Sequence, residues 1–555
     1  MAITSINPQL EAALTASLTS AEHPNGLTPA QEAQLRATIA SDQRVLGQLN
    51  EDAQNGHLRR FDLAAPRSQN LLGTYDKGNG SVTLPADSFN QGANLNATLR
   101  VQDMSMKFAH GTTTNAGVTQ QPVTQAMVNN LQHTLNGSPV LAGQIRSAVA
   151  GEDPSLAHFA PLGPAVVAGG TYDGNTRTMN LPLTNLSTRF NERALTFVLG
   201  HETQHALDRA QLTGAYQTFG NEIERIARDT PLPHDYTVPM RQILAAHRVS
   251  EASAQIAGWN ALLSREQQLK PDAGLNDMLK IGRERLDGTR RVFDFIDPNS
   301  PRDQVQRLPG IAFNPDATLT PTPDNIAAEG RYYFDKPPEK TGIGFHGDSD
   351  YPNFFGAALI GHVIDAERRH VNPGPDGTRP PVVLDMNDLH LRENLMERDG
   401  IRITNRPNER QPYVDSGEQL PAPPRYFDNT DTPPGTPHSH EYVPVQPEGA
   451  TRGMSGGAAR NIDQGQNAPA GAYRPPSAQD IPSPTQNLNG FLDRMIAASQ
   501  PGGDQAAFRQ MTQMLTSLPP AQELHAQTIA AVDRFEAQQL QLQQQENQTR
   551  QGPAL

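Results

Sequence analysis

The chain predicts an α+β fold, mainly helical with a small sheet. Three observations carry this. The stretches 122–150, 193–210 and 239–264 hold apolar residues at helical spacing with few breakers. Two segments share a hairpin pattern: Gly73-Thr74-Tyr75-Asp76 leads to Val82-Thr83-Leu84-Pro85, and Gly170-Thr171-Tyr172-Asp173 leads to Met179-Asn180-Leu181-Pro182. Finally, the 45 glycines and 47 prolines among 555 residues thicken after about residue 290, which points to folded regions joined to extended chain.

Residues 1–65 read as a helical N-terminal region, with one helix opening at Asn7-Pro8 and a second running from Thr28-Pro29 towards Leu49. The two hairpins and the helices around them delimit a unit over 66–290. Between the hairpins, Pro122 to Ala150 is helical with a break at Gly137-Ser138-Pro139. The strand near Thr176–Leu181 precedes a long helix and is a candidate edge for pairing with an extended peptide, or a plain hairpin strand. A further folded segment, 291–409, contains a helix from Phe354 to Arg369 and a short buried strand at Val382-Val383-Leu384. Its loop Gly347-Asp348-Ser349-Asp350 reads as a solvated turn more readily than as a cation loop. Residues 410–487 are rich in Pro, Gly, Ser and Asn and read as a linker, in which His438-Ser439-His440 is taken as an accident of composition. From 488 to 555 helical character returns and ends in a Gln-rich run, Gln538 to Gln545.

Composition narrows function. A net charge of −14 argues against general nucleic-acid binding. No cysteine is present, so thiolate metal sites and disulfides are excluded. Met1 to Pro8 has neither a basic region nor an apolar core, so no secretory signal peptide is expected. No apolar run is long enough for membrane insertion.

The chemistry concentrates at Leu199-Gly200-His201-Glu202-Thr203-Gln204-His205-Ala206-Leu207. Residues four apart share a helix face, so His201 and His205 can offer two imidazole nitrogens to one zinc ion. Glu202 lies round the helix from them. It can reach a water activated by that ion and take its proton as general base. The helix is apolar nearly all round, as a buried helix should be. At this motif, His-Glu-x-x-His with Val198-Leu199-Gly200 before it and Ala206-Leu207 after it, the chain resembles the zincin metallopeptidases. The resemblance implies a zincin-like catalytic domain with a Zn2+ cofactor. The third histidine of the metzincin pattern is missing, which implies a glutamate as third ligand. Glu251 is preferred, because the small residues Ala254 and Gly258 on its helix allow close helix approach. Glu222 and Glu224 are the rivals, since Asn221-Glu222 resembles the thermolysin-like pattern. Asp208, three residues after His205, can orient a ligand imidazole or pair with Arg209 or Arg193. His247, one turn before Glu251, can stabilise an oxyanion or simply pack.

Residues 488–555 resemble, in layout, the C-terminal region of type IV secretion effectors from xanthomonad-type bacteria (Phe491-Leu492-Asp493-Arg494, Ala507-Phe508-Arg509-Gln510, then the Gln tail). That resemblance implies delivery into a target cell, with a secretion-system coupling protein as partner of the tail and a cognate immunity protein as a further partner. The leading expectation is therefore a zinc metallopeptidase acting as a secreted bacterial effector or toxin on a protein or peptide substrate. A zinc amide hydrolase acting on peptidoglycan peptides, and a catalytically silent interaction protein, are the alternatives.

Overall fold

The computed structural model describes residues 5–428, apart from 22, 66–70, 116–118, 163–168, 188–191, 230, 285–288, 302–303, 345–346, 376, 402, 404–409 and 419–424. The His438-Ser439-His440 pair and the 488–555 region lie outside the described residues.

The fold is α+β. Its first core gathers α1 (Pro8–Ala16), α2 (Pro29–Ser41), α3 (Gln43–Gln54), α4 (Gly92–Ala109), α5 (Gln125–Asn136) and α6 (Pro139–Val149) around small sheets. The helix expected to run unbroken to Leu49 stops at Asp42. This carboxylate caps α3 by accepting the Arg44 and Val45 N–H groups, and the Arg100 guanidinium on α4 holds it there. The N-terminal helical region shares this first core, through Leu10, Leu35, Leu49 and Phe61. Strand β1 (Arg60–Leu63) belongs to the same sheet as the first hairpin, and the Phe61 N–H donates to Ser17 Oγ at 2.7 Å.

The sequence echo is a repeat of topology. Strands β2 (Thr74–Asp76) and β3 (Ser81–Leu84) form an antiparallel pair, with β1 parallel to β3 on the other side. After the hairpin β4 (Thr112–Asn115) and β5 (Thr119–Pro122), the pattern recurs in β6 (His158–Leu162), β7 (Thr171–Asp173) and β8 (Thr178–Pro182), in the order β6-β8-β7. Tyr75 faces Val82 and Tyr172 faces Met179 in matching registers. This corrects the substrate-edge expectation. Strand β8 is central, with both sides of its backbone used by β6 and β7. The edge strand beside the helix that carries His201 and His205 is β7.

A short helix α7 (Leu183–Leu186) leads to α8 (Glu192–Ala227), 36 residues long, and α9 (Thr237–Leu269), 33 residues, follows it. This helix pair organises the molecule. The first turns of α8 and the last third of α9 close the first core through Leu195, Leu199, Ala206 and Ala261. On one side, Trp259 anchors a second cluster with Phe197, Met278 and Phe295. It is built from α10 (Leu275–Arg283), a 3₁₀ turn at Thr289–Asp294 and α11 (Pro323–Tyr332), and Trp259 Nε1–H donates to the Ala317 carbonyl at 3.0 Å. The far end of the pair packs in a third cluster. This one contains α13 (Tyr351–His370), which follows the single turn α12 (Pro338–Thr341), then β9 (Val382–Leu384), α14 (Glu393–Arg398), β10 (Arg410–Asp415) and β11 (Arg425–Asp428). The expected boundaries at 290 and 409 therefore do not separate cores. Residues 410–415, assigned to the linker, pair in parallel with β9, and Tyr413 stacks on Phe427 with ring centroids 4.2 Å apart. Gln411, Tyr413 and Asp415 alternate onto the buried face, a pattern that the high Pro and Gly content around them obscured. The Asp-x-Asp loop is spent on structure: Asp350 caps α13 by accepting the Asn353 N–H, and Asp348 pairs with Arg398. Among the described residues no helix is long and apolar enough to cross a membrane.

One buried pair in the first core gives a pH prediction. Asp52 and Asp103, both 2% exposed, are neighbouring carboxyl groups in the first core. Burial, reinforced by the neighbouring Asp103 charge, pushes Asp52 up to about 8. The folded form therefore keeps a proton that the unfolded chain releases near its ordinary value of 3.8. Stability contributed by this group is full below that value and falls as pH rises towards 8, by at most about 1.4 kcal/mol per pH unit. Asp52→Asn removes this slope. Urea unfolding at pH 5 and pH 8 should show a smaller loss in the variant than in wild type, and equal losses would refute the assignment.

Candidate metal centre

The α8 segment around the motif is buried on nearly every side. Leu195, Leu199 and Ala206 face the first core and Phe197 faces the Trp259 cluster. His201 is 4% exposed and His205 is partly buried. Their Nε2 atoms lie 3.0 Å apart, with the rings edge-on. Glu251, on α9, brings one carboxylate oxygen to 3.5 Å from His201 Nε2 and the other to 3.7 Å from His205 Nε2. The three ligating groups, His201, His205 and Glu251, lie within 4.8 Å of one another, close enough to hold one metal ion.

The donor chemistry suits a cation. Burial lowers His201 well below the ordinary imidazole range and lowers His205 to about 4, so both rings are neutral and offer lone pairs at neutral pH. His201 Nδ1 is buried and has no hydrogen-bond partner among the described residues. His205 Nδ1 lies 3.1 Å from Ser250 Oγ. An Nδ1–H donated to this hydroxyl leaves Nε2 free to ligate, which is the orienting role expected of Asp208. Asp208 instead accepts from Gln204 Nε2 at 2.9 Å, and among the described residues it bonds neither imidazole nor arginine. Ser250 was missed, although its place directly before Glu251 was a signal.

The rival ligands are excluded by helix length. Because α8 continues unbroken to Ala227, Glu222 and Glu224 lie 17 and 19 residues beyond His205, about 25 Å or more along the axis. Glu222 pairs with Arg225 at 2.7 Å, and Glu224 is held by Arg369 and His370.

Glu202 approaches β7, where the Tyr172 backbone N–H favours its ionised form and a Cβ on Gly170 would lie 3.9 Å from its Cγ. Burial, then the Glu251 charge, pushes it up to about 8, opposed by Arg291 and by that N–H. His247 is buried one turn before Glu251. Its Nε2 lies 2.9 Å from Tyr216 Oη and its ring stacks on Phe355 at 3.9 Å. Burial and the His205 charge lower it to about 4, so it stands near the centre as a neutral ring.

Sequence reasoning missed three further groups. Tyr333 lies edge-on to His201 with centroids 6.0 Å apart, and its hydroxyl is 2.5 Å from that of Tyr351. Burial raises both phenols, so both remain protonated. Arg291, on the 3₁₀ turn, feels Glu202 and both tyrosines. All three arrive from segments that follow α9, and no local pattern marks them.

Comparison of the chain with protein-family models, with curated proteins and with solved structures returned no match.

Proposed function

We propose that this protein is a zinc-dependent peptidase of the zincin type. The observation that carries the reading is the convergence of His201, His205 and Glu251 from two adjoining helices, with a partly buried carboxylic acid, Glu202, beside them. Two neutral imidazoles and one carboxylate make the His2Glu donor set of zinc hydrolases. When bound, zinc supplies Lewis acidity to a water and to a peptide carbonyl.

The chain's own groups do the rest. Glu202 takes a proton at its carboxylate from the attacking water and returns it to the leaving amine. Its elevated affinity for protons suits both halves of that cycle once neighbouring positive charge adjusts it. The Tyr172 N–H fixes the carboxylate's orientation, and the Tyr333 and Tyr351 hydroxyls are protonated donors on the His201 side of the centre. The outer edge of β7 offers backbone groups to an extended peptide, the role first expected of β8. His247 acts through packing on Phe355 and its bond to Tyr216, and positions the α9 turn that carries Glu251.

The test is metal content by elemental analysis. Wild type should carry about one zinc per chain. His205→Ala and Glu251→Ala should lose it, while Glu222→Ala keeps it. Retention of zinc by Glu251→Ala would reject the ligand set, and no zinc in wild type after loading would reject the peptidase reading.

A further inference from the structure

Arg291 is a cation in search of an anion. It sits on the Thr289–Asp294 turn, with Cζ 5.8 Å from the centroid of the buried Phe197 ring. Its Nη2 reaches to 3.7 Å from the position a Cβ would take on Gly169, and a Cβ on the adjoining Gly170 would lie 3.9 Å from Glu202 Cγ. The two glycines pack under the Val198 side chain, which a Cβ would meet at 3.1 Å on Gly169 and 2.9 Å on Gly170, and their lack of side chains lets Arg291 and Glu202 approach the same short stretch of backbone. Charge from Arg291 is felt at His201, Glu202 and Glu251.

The obvious counter-ion is taken. Asp294, three residues on in the same turn, is bound by Lys336 Nζ at 2.6 Å. Among the described residues Arg291 makes no ion pair, and the ring faces around it are poor compensation for a desolvated guanidinium. It is nonetheless only partly buried, so a ligand can reach it. A planar fork of N–H donors beside backbone that carries no side chain at Gly169 and Gly170 matches a carboxylate held bidentately.

We propose that Arg291 is a specificity residue that binds a carboxylate of the peptide substrate, beside the bond to be cut. The carboxylate is either the free C-terminus or an acidic side chain. This rests on the peptidase reading for its ligand, and the test separates the two.

The probes are four dansyl-Ala-Ala-Phe-X peptides: X is Leu with a free carboxylate, Leu amide, Glu amide or Gln amide. Binding is read by fluorescence anisotropy on the full chain carrying Glu202→Gln, which prevents turnover and removes any effect exerted through the Glu202 charge. At least one charged peptide should bind about tenfold or more tightly than its neutral partner. Preference within the Leu pair assigns the C-terminus, and preference within the Glu/Gln pair assigns the side chain. Adding Arg291→Met should abolish the preference, while Arg291→Lys retains part of it and controls for folding. Equal binding within both pairs, no binding at all, or a preference that survives Arg291→Met overturns the proposal. Zinc content and wild-type peptide cleavage, measured separately, report whether the peptidase reading itself stands.

Discussion

Glu202→Gln should lower kcat by about a thousandfold or more while leaving the zinc content at one per chain. The substitution is isosteric. It preserves the Tyr172 N–H contact through the amide oxygen and leaves His201, His205 and Glu251 untouched. What it removes is the group that accepts and returns the proton, and such a group contributes about 10²–10⁴ in rate. Removal of the charged base also relieves its repulsion with Glu251, so the variant should be at least as stable as wild type at alkaline pH. The measurement is steady-state cleavage of an unstructured protein such as casein, run beside isolated cell walls, with metal analysis on the same samples. Cleavage of walls alone would move the substrate to peptidoglycan peptides. Undiminished activity in the zinc-loaded variant would refute the mechanism. An inert but zinc-bearing wild type would favour the silent interaction protein.

The parts of this site that were legible in sequence are those fixed by helix geometry. His201 and His205 share a face because four residues make about one turn, and no tertiary information is needed to say so. Glu251 was legible for a weaker reason, its company of small residues, since close approach of two helices demands them. Glu222 and Glu224 competed only while the end of α8 was unknown. The helix runs unbroken through Gly214 and Gly220, both of which have open space where a Cβ would sit. The role of β8 was misjudged because its second neighbour, β6, lies beyond the hairpin that the Gly and Asn pattern revealed. Arg291, Tyr333 and Tyr351 were invisible. Each is an isolated residue in an irregular or proline-rich stretch, brought to the centre by the Trp259 cluster and by aromatic packing of Tyr351 against Phe334 and Phe355. Periodicity reads what one element presents to its neighbour. It does not read which distant loop completes a cavity.

The other large effect should come from a residue with no side chain. Gly200 on α8 and Gly258 on α9 face each other across the closest approach of the pair. A Cβ on Gly200 would lie 2.7 Å from Ala261 Cβ and 3.2 Å from Gly258 Cα. A Cβ on Gly258 would lie 2.7 Å from the Phe197 ring and 2.8 Å from the Phe197 carbonyl oxygen. Phe197 cannot yield, because it is 0% exposed within the Trp259 cluster and its carbonyl belongs to the helix itself. Gly258→Ala must therefore push α9 away from α8 by several tenths of an ångström or more. Overpacking of this kind costs about 1–3 kcal/mol, against a helix-propensity gain of about 1 kcal/mol for Gly→Ala. Glu251 rides on α9 two turns away, while His201 and His205 stay on α8, so the same displacement opens the ligand set. Metal sites tolerate about 0.5 Å of such error. Gly258→Ala should thus lower the melting temperature and weaken zinc binding together. Gly214→Ala, on the same helix pair with open space around it, should raise the melting temperature and leave zinc binding unchanged. The contrast isolates helix contact from helix propensity. If Gly258→Ala behaved like Gly214→Ala, the two helices could not be in the contact that brings Glu251 to the histidines.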